Sequence, residues 1–229
     1  MVIGNGLVAK AFEIYKNNND FVVFASGVSN SSERNPEPFE REKKLLLEII
    51  HNYPDKHLIY FSTCSIYDEE MKTTPYVLHK LALEKLIQDH SSKWNIFRIS
   101  NLIGKTENQN TILNYLYLRI KNYQHFTVWK GAERNIIDIV DAFAIIQTIL
   151  VDSKKENRIL DIANLHNYKI EIIVDAIEVL VNKNGNYNYV DKPSQPNIPM
   201  LNMENYIPFL NTIFTNNYLQ NVLKKYYRS

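Results

Sequence analysis

Three side chains able to move a proton lie within one short stretch. In YFSTCSIYDEEMKTTPYVLHK, residues 60–80, Thr63 ends an apolar run, and Tyr76 stands four positions before Lys80. A phenol with an ordinary pKa of about 10 is a poor base at neutral pH, but a nearby ammonium favours the phenolate. A threonine hydroxyl alongside can hydrogen-bond an oxygen that gains or loses a proton while hydride moves at the carbon. The Tyr-x-x-x-Lys spacing alone is weak. The chain has 15 tyrosines, and Tyr117 and Lys121 repeat the spacing inside a longer helical stretch. Tyr76 differs in its setting. It follows a strand-like run carrying Ser62, Thr63 and Ser65, and Thr74 and Pro75 read as N-cap and first position of a helix. Tyr76 and Lys80 would then stack one turn apart on one face.

Such a trio needs a scaffold, and the surrounding pattern supplies one. MVIGNG reads as a short strand ending in glycines, LVAKAFEIYKNN as a helix and DFVVFAS as a buried strand. PFEREKKLLLEIIHNY is amphipathic, with Leu46, Ile49 and Ile50 inward and its charges outward. KHLIYFST, PYVLHKLALEKLIQDH and WNIFRIS continue as strand, helix and strand. Strands too apolar to have a wet face, alternating with helices, predict an α/β fold: a parallel sheet covered on both sides. Open sheets of this kind bind ligands at the C-terminal ends of their strands, where Thr63 falls.

Beyond Gly104 the pattern loosens. TILNYLYLRIKNY, DIVDAFAIIQTILVD and KIEIIVDAIEVLVNK read as helices, FTVW and NRILDIA as strands, and TNNYLQNVLKKYYR as a last helix. The Asn-, Tyr- and Pro-rich run from Tyr187 to Leu210 reads as irregular structure held by its aromatics.

The first turn, GNGLVA, matches G-x-G-x-x-G/A with a strand before it and a helix after it. Without side chains at Gly4 and Gly6 the backbone can turn sharply and a pyrophosphate can approach the helix N-terminus. Gly4, Asn5, Gly6, Leu7 and Val8 are therefore candidate dinucleotide contacts. The same turn without a ligand is the plainer reading. The acid usually found about 20 residues on, which bonds the adenosine ribose, is absent. FVVFASG ends in Ala25, Ser26 and Gly27. Either the second strand has lost its acid, or the second strand is missing.

Composition narrows the field. At 229 residues, with 45% hydrophobic and 22% charged residues, the chain fits one soluble globular unit. A net charge of +1 gives no electrostatic reason to expect nucleic acid or an anionic membrane as partner. The single cysteine, Cys64, excludes an intrachain disulfide and fits a reducing cytosol. No apolar run approaches the roughly 20 residues that span a bilayer, and no signal peptide is evident. The expectation is a cytoplasmic protein. No metal site is expected.

Six segments in order resemble the extended short-chain dehydrogenase/reductase family of NAD(P)-dependent sugar-nucleotide epimerases, dehydratases and reductases. GNGLVA resembles its glycine turn. FVVFASG resembles its fourth strand, and YFSTCSIY its strand of the form S-[ST]-x-x-[VI]-Y. PYVLHKLALEKLI resembles its Tyr-x-x-x-Lys helix, FRISNLIG its R-x-x-N-x-x-G segment, and ERNIIDIVDAF its later R-[DN]-x-I-H-V-x-D stretch. The resemblance implies Thr63 as the catalytic hydroxyl, Tyr76 as acid/base and Lys80 as its partner on the cofactor ribose. It implies Ala25, Ser26, Gly27 and Ser62 beside the cofactor, and Ser65, Asn101 and Arg134 at a nucleotide-sugar substrate. Each has a plainer reading: Asn101 as a turn cap, Arg134 as a surface charge, Cys64 as a small buried residue.

If FVVFASG is the fourth strand, the second and third have no counterpart. Those two lie together at one edge in the order 3-2-1-4-5-6, so their loss leaves a smaller sheet with MVIG as its edge. The expected fold is thus a Rossmann-like parallel sheet flanked by helices and reduced at one edge. Residues 1–104 form its nucleotide-binding core, and 105–229 its remaining elements and a small substrate-binding region. NAD or NADP would bind weakly, with a partner subunit's help, or not at all. Dehydratases of the family carry Asp-Glu after the catalytic threonine; Cys64 and Ser65 stand there and argue against dehydration. What remains is a reductase or epimerase acting on a nucleotide-linked sugar in cell-surface polysaccharide synthesis. The alternative is a cofactor-poor binding or regulatory protein of the same fold. Pairing of two copies through the helices of residues 40–50 and 76–87 is also implied.

Overall fold

A computed structural model describes residues 1–152 and 157–228. Strands and helices alternate from the start: β1 (Val2–Ile3), α1 (Leu7–Ala11), β2 (Phe21–Phe24), α2 (Pro36–Asn52), β3 (His57–Thr63), α3 (Pro75–His90) and β4 (Trp94–Ile99). Then follow β5 (Asn101–Ile103), α4 (Ile112–Lys121), β6 (His125–Asp138), α5 (Ile139–Val151), β7 (Arg158–Ile162) and β8 (Asn167–Lys169). The chain ends with α6 (Ile170–Val181), β9 (Asn186–Ser194), α7 (Ile207–Ile213) and α8 (Tyr218–Tyr227).

The main sheet is parallel, in the order β1-β2-β3-β4-β7, with β1 at the edge. Its residues alternate between two cores, which is why its strands read as continuous apolar runs. Val22, Phe24, Leu58, Tyr60 and Ile96 pack against Leu46 and Ile49 of α2 and Leu83 and Ile87 of α3. Val23, Ile59, Phe97 and Ile99 face the other way, onto Phe12, Leu113 and the Ile145–Ile146 pair of α5. The order leaves nothing outboard of β1 among the described residues, as the reduced sheet predicts.

The second sheet is built around β6, which pairs with β5 and β9 in parallel and with β8 antiparallel. Two expectations change here. FTVW is the start of a strand of 14 residues, not a short one. The tail after Tyr187 is not wholly irregular, because Asn186–Ser194 runs along β6 as β9. Pro193 fits there because β9 is an edge, where a missing N–H is tolerated. A bulge at Gly131, with φ of +79°, bends β6 opposite that proline.

The first helix is also shorter than its pattern. α1 has five residues and gives way to a 3-10 turn at Glu13–Tyr15, with Phe12 swung into the core. The asparagines at positions 17–19 are poor helix formers and do not extend it. By contrast α3 starts where its cap predicts, with the Thr74 hydroxyl accepting from the Val77 N–H and Pro75 at the first position.

Candidate active site

Parallel strands end at a common rim, and at the rim of β1–β4 a cleft of about 730 Å3 opens between the main sheet and the β5–β6 side. All the sequence-predicted site residues except Gly4 line it: Asn5, Gly6, Leu7, Val8, Ala25, Ser26, Gly27, Ser62, Thr63, Ser65, Tyr76, Lys80, Asn101 and Arg134. They come from six separate stretches, so the sheet's topology has gathered what the sequence scatters.

Gly4 acts through the backbone instead. Its φ is +126°, and a Cβ there would sit 2.3 Å from the Ala25 carbonyl oxygen, so only glycine lets the chain turn against the end of β2. At Gly6 a Cβ would meet nothing within 4 Å. The backbone there stands open to the cleft. The short α1 behind it curtails the dipole that a longer helix would aim at an anion.

Tyr76 lies in the first turn of α3 and is buried, and its hydroxyl has no hydrogen-bond partner among the described residues. The Thr63 hydroxyl caps the turn after β3: it accepts from the Ser65 N–H at 3.0 Å and donates to Ser65 Oγ at 2.9 Å. Ser62 donates to Glu84 Oε1 at 2.6 Å and so is tied into the layer beneath the cleft. There Glu84 grips Arg98 with both oxygens, and Arg98 Nη1 donates to the Tyr67 hydroxyl. Tyr67 in turn donates to Asp161 on β7. Burial, then the Asp161 charge, pushes the Tyr67 phenol up to about 12.

Lys80 is buried, and its ammonium turns toward α2 and β3. It donates to Glu42 Oε1 at 2.8 Å, to the Tyr60 hydroxyl at 3.2 Å and to the Phe61 carbonyl at 3.4 Å. Glu42 is fully buried and is the hub of the cluster. Besides Lys80 it accepts from the Tyr60 hydroxyl at 2.9 Å and the Val28 N–H at 2.8 Å, and His79 Nε2 lies 3.1 Å from its other oxygen. Burial opposes the charge, but Lys80, His79 and the Val28 N–H together hold the carboxyl at about 2. Burial and the Glu42 charge push the Tyr60 phenol well up.

Glu42 corrects the expectation that the charges of this helix point outward. Its spacing carried a signal: Phe39, Glu42, Leu46 and Ile49 share the buried face of α2. Lys80 and Glu84, likewise, are two buried charges on the inner face of α3, one turn apart.

Across the cleft, the Asn101 amide donates to the Asn135 carbonyl at 2.8 Å. The Arg134 guanidinium lies 5.7 Å from the Trp129 ring centroid and donates to the Glu133 carbonyl. Burial pushes its pKa down, against the nearby charges of Asp68 and Glu70. Cys64 donates to the Arg98 carbonyl, and burial pushes its thiol well up, which suits a packed residue better than a nucleophile. Ser100, which sequence reading passed over, lines the cleft with a buried hydroxyl oxygen that has no hydrogen-bond partner among the described residues. Among the described residues no cluster has the makings of a metal site, and no helix is long and apolar enough to cross a membrane.

A parallel sheet with a nucleotide-sized cleft at its carboxyl rim defines the class: a Rossmann-like α/β protein. The chain belongs to the NAD dependent epimerase/dehydratase family, whose profile matches residues 8–163. That match begins within the first turn, past Gly4 and Gly6. Among solved structures it is similar to dTDP-glucose 4,6-dehydratase from Bacillus anthracis, solved with NAD, at 15% identity and a TM-score of 0.71, covering 95% of this chain and 76% of that one. UDP-N-acetylglucosamine 4-epimerase from Bacillus cereus aligns at 16% identity and a TM-score of 0.71, over 98% of this chain and 95% of that one. A dTDP-4-dehydrorhamnose reductase ortholog from Clostridium acetobutylicum aligns at 15% identity and 0.66, over 96% and 84%. A search of curated proteins found no match.

Proposed function

We propose that the protein is an NAD(P)-dependent reductase or epimerase acting on a nucleotide-linked sugar, with Tyr76 as its acid/base. The observation that carries the reading is the meeting of Thr63, Tyr76 and Lys80 with the open turn at Asn5–Val8 on one cleft. The residues fit the dinucleotide of the family. The backbone at Gly6 is open to a pyrophosphate, and Ala25, Ser26 and Gly27 offer a small-residue wall. When bound, the nicotinamide supplies a site to give or receive hydride.

The chain's own residues do the rest. The Tyr76 hydroxyl, with no competing partner, donates or accepts the proton at the substrate oxygen. Thr63 hydrogen-bonds that same oxygen once its own hydrogen is released from Ser65. The buried Lys80 lines the same cleft and is the partner for the cofactor ribose. Asn101 and Arg134 hold the substrate's diphosphate on the opposite wall, where a guanidinium offers several donors to phosphate oxygens, and Ser65 contacts the sugar. The setting is the cytosol, as the composition suggests, and the pathway cell-surface polysaccharide synthesis, carried over from the family resemblance. Exposed Leu47, Leu78 and Leu81 on α2 and α3 support pairing of two copies there.

A second reading has its own support. With β1 of two residues at the sheet edge and α1 of five, the adenosine half of a dinucleotide has little floor. That favours a binding protein that keeps the fold and has lost turnover. Equilibrium titration with NAD+, NADH, NADP+ and NADPH separates the two. The enzyme reading expects at least one to bind, and no binding of any at millimolar concentration moves the assignment to the second.

A further inference from the structure

The position of the Lys80 ammonium is decided by α2 and β3, not by its own helix. Two of its N–H bonds go to acceptors within ordinary range, the Glu42 carboxylate at 2.8 Å and the Tyr60 phenol oxygen at 3.2 Å. The third goes to the Phe61 carbonyl at 3.4 Å, beyond the ordinary range for N–H to oxygen. Tyr60 spends its own hydrogen on Glu42, so its lone pair is the part that faces Lys80. The three groups therefore close a ring that fixes two donors and leaves one weakly engaged. Gly27 lets this ring sit directly against the rim of β2, since a Cβ there would lie 2.7 Å from Lys80 Nζ and 2.8 Å from Glu42 Oε1. Stability gives little reason for such an arrangement, because a buried ion pair is often matched or bettered by apolar residues of the same volume.

We propose that Glu42 is a positioning residue for Lys80: its buried carboxylate, with Tyr60, keeps the ammonium in place at the cleft wall with one N–H left for a ligand hydroxyl. This deepens the reading above and rests on it for the identity of that ligand, a ribose of the dinucleotide. A merely structural tie between α2, β3 and α3 would use the same contacts, so the test must separate the two.

The full chain, with Glu42→Gln, Lys80→Met and the double variant, is titrated with NADH and NADPH by fluorescence. Each single variant weakens binding tenfold or more, and the double variant binds no worse than Lys80→Met, because Glu42 acts through Lys80. An unchanged affinity in a folded Glu42→Gln protein, or losses that multiply in the double variant, overturns the proposal. Tyr60→Phe keeps the carboxylate and removes one acceptor; it weakens binding several-fold and serves if Glu42→Gln fails to fold. A second readout needs no cofactor. A buried, hydrogen-bonded ammonium exchanges slowly enough to give a 15N signal, which Lys80→Met assigns. That signal is present in the native protein and lost in Glu42→Gln; its survival there overturns the proposal. If no dinucleotide binds the native protein, the oxidoreductase reading fails, and the 15N signal alone decides the part played by Glu42.

Discussion

The two Tyr-x-x-x-Lys pairs have the same spacing and opposite fates. On α4, Lys121 donates to the Tyr117 hydroxyl at 3.2 Å, with the lysine exposed. On α3, Lys80 passes over Tyr76 and takes Glu42 and Tyr60 as partners in the interior. Helical spacing alone, then, brings a phenol and an ammonium together at a surface, where nothing competes. In the interior the desolvated ammonium goes to the carboxylate that can compensate its charge. The pair that touches sits on an ordinary surface; the pair that does not touch sits in the cleft. Contact between the two groups is therefore a poor guide to which pair lines the cleft.

Mutating both pairs in parallel tests this contrast, and the phenols give the largest effect. Tyr76→Phe lowers kcat on the nucleotide sugar by roughly 10²–10⁴-fold, the usual contribution of a positioned acid/base. Tyr117→Phe leaves kcat unchanged. Equal turnover by the native protein and Tyr76→Phe would remove the proton-transfer role.

The lysines come next, and here the readout is stability. Lys80→Met leaves Glu42 buried without its countercharge, a loss of about 3–5 kcal/mol. Lys121→Met changes stability by no more than about 0.5 kcal/mol. Urea unfolding of both variants measures the difference. Similar small values for the two would mean that Glu42 finds another partner.

The pH dependence sharpens the same point. The folded protein holds the Glu42 carboxyl at about 2, below its ordinary 4.5. As pH falls, the unfolded chain takes up that proton first. The stabilisation is complete above about pH 4.5 and lost progressively toward pH 2, on the order of 3 kcal/mol in all. Glu42→Gln removes this component, so its stability falls less steeply than the native protein's across that window. Parallel slopes would show that Glu42 does not titrate there.

The legible part of the fold was the part governed by local pattern. Apolar runs and caps gave β2, β3, β4 and α3, because strands buried on both faces and a Thr-Pro helix start are local signals, whereas the edge position of β1 followed from the family resemblance. The extent of β6 and the existence of β9 were not legible. Both depend on pairing with each other across 61 residues of chain, from His125 to Asn186 at the first register pair, and their sequences are polar and broken by Gly131 and Pro193. The same division holds at the site. Thr63, Tyr76 and Gly6, which line the cleft, stood out in the sequence because their types and spacing are local. Glu42 was missed because an acid among the charges of an amphipathic helix looks solvated until Lys80 arrives from another element. Its place on the face of Phe39, Leu46 and Ile49 was the available clue.

Two glycines give the smallest effects and a contrast of the same kind. Gly27 is closed in by the Lys80–Glu42 pair, and Gly6 faces open space. Gly27→Ala drives a methyl group into two held polar atoms, at a cost of about 1–3 kcal/mol. Gly6→Ala meets no atom, and the native φ of −76° suits alanine. Its stability stays level or rises by up to about 1 kcal/mol through the lower entropy of the unfolded chain. Dinucleotide affinity should fall in Gly6→Ala all the same, because the methyl stands where a pyrophosphate must approach the backbone. Thermal unfolding and NADH titration on the one variant separate the two roles: a stable protein that binds as well as the native one would mean that the cofactor does not approach the chain at Gly6.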